Sequence, residues 1–109
     1  MKIWLDDIRN PDDFGRKDMI WITKPEKVIE LIGLFDEISF DHDLGSELTG
    51  YDVAKAIEKY AWDGQLQQLP KWSIHSANPI GAENIQKAMQ SAERGLKIYQ
   101  MKGNHENTM

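Results

Sequence analysis

The chain has 109 residues, 13 Lys plus Arg against 18 Asp plus Glu, and a formal charge of −5. A second hydrophobic core would need roughly 50 residues or more of its own, so one domain is expected. Hydrophobic residues at 40% and charged residues at 28% exclude a disordered chain, and the absence of cysteine excludes disulfides, thiolate zinc and a cysteine nucleophile.

Lys2 to Leu5 is a short apolar opening that reads as a strand, and it closes on Asp6 and Asp7. Acid so close to Met1 argues against a signal peptide, and no apolar run approaches the ~20 residues of a membrane span. A cytoplasmic domain with no membrane partner is expected. Asn10 to Lys17 carries Pro11, Asp12, Asp13 and Gly15, which is turn chemistry without a helical period. Met19 to Ile22 is β-branched and aromatic, a second strand. Thr23, Pro25 and Glu26 form a capping-box pattern, and Val28, Leu31, Ile32 and Phe35 then share one helical face. Ile38 to Phe40 is a third strand, closing on Asp41, His42 and Asp43. After the loop to Gly50, Val53, Ala54, Ile57, Tyr60 and Ala61 line a second helix, for which Asp52 is a good first-turn acid. Trp72 to His75 is a fourth strand, and Asn78-Pro79 starts a third helix, with Asn as cap and Pro in first position. Ile85, Ala88, Met89 and Ala92 form its buried face, and Gly95 is expected to end it. Leu96 to Met101 reads as either an edge strand or a helix extension. The division expected is a domain over residues 1–102 with a flexible tail over residues 103–109 that includes His105.

Strands alternating with helices imply a parallel sheet, and in such sheets sites form beyond the carboxyl ends of the strands. Asp6 and Asp7, then Asp41 to Asp43, then His75 to Asn78 all fall there. Carboxylates converging at one edge repel unless a cation lies between them, and oxygen-only ligands suit Mg²⁺ or Mn²⁺. Asp6, Asp7 and Asp41 are therefore the candidate metal ligands, although Asp6 or Asp7 could simply cap a turn and Asp41 simply begin a loop. Asp41 with Asp43 two residues on also matches a phosphoryl-accepting carboxylate with a proton-handling partner. His42 and His75 could relay protons near neutral pH or bond a loop carbonyl. Ser76, Asn78 and the helix start behind them suit a phosphate, or are plain capping. Arg9 could pair a phosphate or a neighbouring acid such as Asp12 or Asp13. His75 and Ser76 alternate across a strand and cannot form a nucleophile–base pair. The four tryptophans lie in no basic setting, and net acidity argues against an extended nucleic-acid surface.

Leu5-Asp6-Asp7, Asp41 and Ser76-Ala77 resemble the response-regulator receiver domain. Closer still, Trp4-Leu-Asp-Asp-Ile-Arg9, Ser39-Phe-Asp-His-Asp-Leu-Gly45, Thr49-Gly-Tyr-Asp52 and His75-Ser-Ala-Asn-Pro79 resemble the cyclic-phosphate processing receiver-like family of bacteria and phages, over about residues 1 to 95. The resemblance implies an α/β, three-layer, flavodoxin-like parallel sheet of four or five strands, with the first crossover helix reduced or missing. It implies a metal-dependent phosphoesterase acting on a cyclic phosphate, either a 2′,3′-cyclic RNA end or a cyclic nucleotide. Asp6, Asp7 and Asp41 would hold Mg²⁺ or Mn²⁺; Asp41, His42, His75 and Asp43 would be catalytic; Ser76, Asn78 and Arg9 would bind phosphate. The alternatives are a non-catalytic sensor or sponge that binds a cyclic nucleotide or a phosphate end, as in phage–host conflict, and a signalling receiver phosphorylated on Asp41. Lys102 is the weak candidate for the receiver's strand-five lysine. Without a first crossover helix one sheet face is under-covered, and Trp4 and Trp21, or a homodimer contact, would fill the gap.

Overall fold

Four short apolar segments, each stopped by acid or turn residues, leave room for only a small sheet. In the computed structural model, which describes residues 1–107 with side chains through Lys102, they become β1 (Lys2–Leu5), β2 (Ile20–Ile22), β3 (Glu37–Phe40) and β4 (Lys71–Ile74). All pairings are parallel, in the order β2-β1-β3-β4. The connections are a 3₁₀ turn (Pro11–Phe14), α1 (Pro25–Glu30) and α2 (Gly50–Trp62), and α3 (Pro79–Asn107) follows β4. This is the α/β receiver-like arrangement, with the first crossover reduced to a single turn.

Alternation along the strands sorts the two faces of the sheet. Ile3, Leu5, Ile38 and Phe40 meet Val53, Ala54, Ile57, Ile85, Met89 and Ala92 of α2 and α3 in one core. The periodic residues read as the buried faces of α2 and α3 therefore pack as expected, with Tyr60 partly buried beside them. On the opposite face the 3₁₀ turn replaces a helix. Trp4 is only 3% exposed because Phe14 covers it at 5.5 Å between ring centroids and His75 stacks on it at 3.8 Å. Trp21 pairs in register with Trp4 and remains 40% exposed, so the two indoles fill the gap unequally. Arg16 closes the far edge by donating to Glu37 at 2.7 Å.

Three local expectations are corrected. Thr23 and Glu26 form no capping box: Lys24 is the N-cap of α1 and its side chain makes no capping bond, so Pro25 alone starts the helix. α1 also stops at Glu30, and the chain turns through Gly33 at φ +95°, although Leu31, Ile32 and Phe35 still reach the core. Gly95 does not end the third helix, which runs through it. A Cβ at Gly95 would lie 2.6 Å from the Trp62 indole, so the glycine is there to let α2 approach α3. Leu96 to Met101 is accordingly helix rather than strand, and β4 is an edge among the described residues. Lys102 lies on α3, about 35 Å along the helix from Pro79 at 1.5 Å per residue. The side chains of residues 103–107 and all of Thr108 and Met109 fall outside the described residues, while the backbone of α3 runs on through Asn107, into the stretch expected as a tail. No helix among the described residues is long and apolar enough to cross a membrane.

Candidate functional site

The carboxyl ends of β1, β3 and β4 adjoin, and side chains from all three meet there. Asp6 directly follows β1 and is 1% exposed. Its Oδ1 accepts the Ile8 and Arg9 amides at 2.8 and 2.9 Å, which shapes the turn leaving the strand. Turn capping and metal binding are therefore compatible here, because Oδ2 keeps an open lone pair after its single hydrogen bond to His75 Nε2 at 3.0 Å. Asp41 follows β3, is 5% exposed, and accepts the His42 amide on Oδ1 at 2.8 Å. Burial, and to a lesser degree the charge on Asp6, hold its carboxyl above the ordinary range. With Asp7 these two residues offer oxygens all within 4.8 Å of one another. Two buried carboxylates and a half-buried third repel strongly in such a setting. That donor set fits a hard divalent cation, which would offset the repulsion.

His75 is locked from every side. A carboxylate only accepts, so Nε2–H donates to Asp6, and Nδ1 of the neutral ring accepts from the Ser39 hydroxyl at 2.7 Å. Burial lowers the His75 pKa despite the Asp6 carboxylate, which fits a neutral ring stacked on Trp4. Ser39, His75 and Asp6 thus have the composition of a hydrolytic triad. Ser39 is 2% exposed within the sheet, however, and cannot meet a substrate. The Arg9 guanidinium donates to the His75 carbonyl at 2.9 Å and lies 3.9 Å from Asp6 Oδ2. It therefore turns toward the site rather than toward Asp12 or Asp13.

The Asp41–Gly50 loop folds back on itself. Gly50 donates to the His42 carbonyl at 3.0 Å, and a Cβ on Gly50 would overlap the Asp41 carbonyl oxygen. Thr49 and Asp52 form the reciprocal capping box that starts α2. His42 Nδ1 donates to Asp43 at 3.0 Å, and Asn78 Nδ2 donates to the other Asp43 oxygen at 3.3 Å. The bond from His42, then that from Asn78, holds the exposed Asp43 carboxyl below its ordinary range. Asn78 Oδ1 caps α3 by accepting the Gly81 amide at 3.0 Å, and Ser76 Oγ accepts the Asn78 amide at 3.1 Å. Gly81 has no room for a side chain, because a Cβ would strike the His42 ring.

These residues border a cavity of about 250 Å³ lined by Asp6, Asp7, Ile8, Arg9, Asp41, Asp43, Gly45 and Ala77. The metal candidates, Arg9 and Asp43 therefore reach one space, while His42, His75, Ser76 and Asn78 stand behind it. The sequence assigns no site role to Ser39, Gly50 or Gly81, and gives Trp4 only the task of covering the sheet. The glycines are read as turn or helix residues, and only their close approaches to Asp41 and His42 reveal what they do. A family model described as the cyclic-phosphate processing receiver domain matches residues 1–91. No curated protein and no solved structure matches the chain.

Proposed function

The chain belongs to the cyclic-phosphate processing receiver domain family, and from that membership we propose that the Asp6–Asp7–Asp41 edge is a metal-assisted site that opens a cyclic phosphate ester. The observation that carries the proposal is the cluster of three acidic side chains with oxygens within 4.8 Å, two of them buried. The substrate class is a 2′,3′-cyclic RNA end or a cyclic nucleotide, and the ion is Mg²⁺ or Mn²⁺. Such an ion, when bound, polarises a phosphoryl oxygen and lowers the pKa of a bound water.

The protein's own groups divide the remaining work. Asp6, Asp7 and Asp41 hold the cation. His75 and Ser39 act through Asp6, fixing the direction of its second oxygen, so His75 is a positioning residue. Arg9 lines the cavity with a permanent positive charge and pairs the phosphate oxygens. Asp43 is ionised at neutral pH, since its pKa is lowered. It therefore accepts a proton from an attacking water instead of donating one. Asp43 then returns that proton to the departing alkoxide oxygen, while His42 behind it, donating through Nδ1–H, holds the carboxyl in place. Ser76 and Asn78 shape the turn that carries Ala77 to the cavity wall.

Turnover tests the proposal. The purified protein, with Mg²⁺ or Mn²⁺, is incubated with 2′,3′- and 3′,5′-cyclic nucleotides, and ring opening is followed by ³¹P NMR. A phosphomonoester that forms with metal, and is lost in EDTA and in Asp41→Asn, is the expected result. Tight binding without product would replace the enzyme with a sensor or sponge. A phosphoryl mimic that attaches at Asp41, with no cyclic phosphate bound, would make the domain a signalling receiver.

A further inference from the structure

The cavity at the three carboxylates is small for a whole nucleotide. Its volume of about 250 Å³ falls short of the ~300–1,000 Å³ usual for sites that enclose organic ligands. A second cavity, of about 450 Å³, lies on the other side of Asp7 and Gly45 and shares both residues with the first. It is lined in addition by Thr23, Lys24, Pro25, Glu26, Leu44 and Ser46. The two spaces meet at Gly45, which takes φ +63° and whose added Cβ would stand 3.1 Å from Asp7 Oδ2. A side chain at Gly45 would crowd that junction.

The chemistry of the second cavity differs from that of the first. Pro25 and Leu44 are buried and give it an apolar floor, whereas Thr23, Lys24, Glu26 and Ser46 are exposed and give it a polar rim. An apolar floor with hydroxyl, amine and carboxylate groups around it suits an uncharged heteroaromatic ring that both donates and accepts. Asp7 and Glu26 outnumber Lys24 there, which disfavours a second phosphate. We propose that this second cavity is a nucleobase subsite, so that the ligand is a nucleoside cyclic phosphate with its phosphate at Arg9 and Asp41 and its base between Leu44 and Thr23. The inference rests on the cyclic-phosphate reading above and adds to it the place where the base is held.

Two probes separate the inference from that reading: adenosine 2′,3′-cyclic phosphate, and glycerol 1,2-cyclic phosphate, which has the same ring and no base. Each is titrated into the ¹⁵N-labelled protein with Mg²⁺. Both should shift the Asp41 and Ala77 amides, and only the nucleotide should shift Thr23, Lys24 and Ser46. Thr23→Trp, which fills the second cavity from an exposed position, should weaken nucleotide binding roughly tenfold. Nucleotide shifts confined to Asp41 and Ala77 would remove the base subsite and leave the cyclic-phosphate reading standing. No shift at Asp41 or Ala77 with either probe would overturn both.

Discussion

Asp41→Asn should make the metal-free protein more stable while destroying its response to metal. Asp41 is nearly buried, and its carboxyl is pushed above the ordinary range by desolvation and by the charge on Asp6. Asn has the same shape, and its Oδ1 can accept the His42 amide that Asp41 accepts at 2.8 Å, so little is lost. The repulsion removed is sizeable. Unit charges 4.8 Å apart, the outer limit for these oxygens, repel by about 3.5 kcal/mol at an effective dielectric constant of ~20. Arg9 offsets part of this, leaving on the order of 1–3 kcal/mol. At ~4–8 °C per kcal/mol for a domain of this size, the Tm in EDTA should rise by roughly 4–24 °C. The pH dependence has a definite sign. A carboxyl whose pKa is raised on folding favours the fold below its ordinary value and disfavours it above the raised one. The gap between variant and wild type should therefore vanish below about pH 4 and widen toward neutrality. Excess Mg²⁺ should then stabilise the wild type, by about 2.7 kcal/mol at a hundred times Kd, and leave the variant nearly unmoved. Circular-dichroism melts from acid to neutral pH measure all of this. An Asn variant melting at or below the wild type in EDTA at pH 7 would refute the reasoning.

Gly50→Ala should cost about 3 kcal/mol or more, since its Cβ would overlap the Asp41 carbonyl oxygen; urea unfolding and the Asp41 amide shift would both report it. Thr49→Ala removes the hydroxyl half of the α2 capping box and should cost about 1 kcal/mol, read as a lower urea midpoint at an unchanged m value. The His75 pKa is lowered by burial, so the stability held by the neutral ring is present above about pH 6.5 and is lost as pH falls through the lowered value. Melts of the metal-free protein between pH 7 and pH 5 should show that loss, and His75→Gln should flatten it; equal slopes would contradict the assignment.

The sequence carried the strands, their parallel order and the acids at their ends, because those depend on alternation, turn residues and topology rules that act locally or apply to a whole fold. Asp6, Asp7 and Asp41 were legible for that reason, and their oxygens do converge. What escaped depends on contacts between distant segments. Ser39 looks like an ordinary polar residue on a strand, and its bond to His75 links positions 36 residues apart. Gly95 has the local signature of a helix stop, and only the Trp62 indole against it explains why the helix continues. The Thr23–Glu26 pattern failed for a local reason: Pro25 was enough to start α1 one residue later than the motif required. His75 was placed at the correct edge, but its stacking on Trp4 follows from the missing crossover helix, which leaves a sheet face for the ring to cover.

The central claim is that Asp6, Asp7 and Asp41 form one divalent-cation site, and a Mg²⁺ titration followed by ¹H–¹⁵N amide shifts addresses it most directly. The account predicts saturable shifts concentrated at Asp6, Asp7, Ile8, Asp41, His42 and Gly45, abolished in Asp41→Asn. Shifts scattered over the acidic surface, or an undiminished response in the Asn variant, would contradict it.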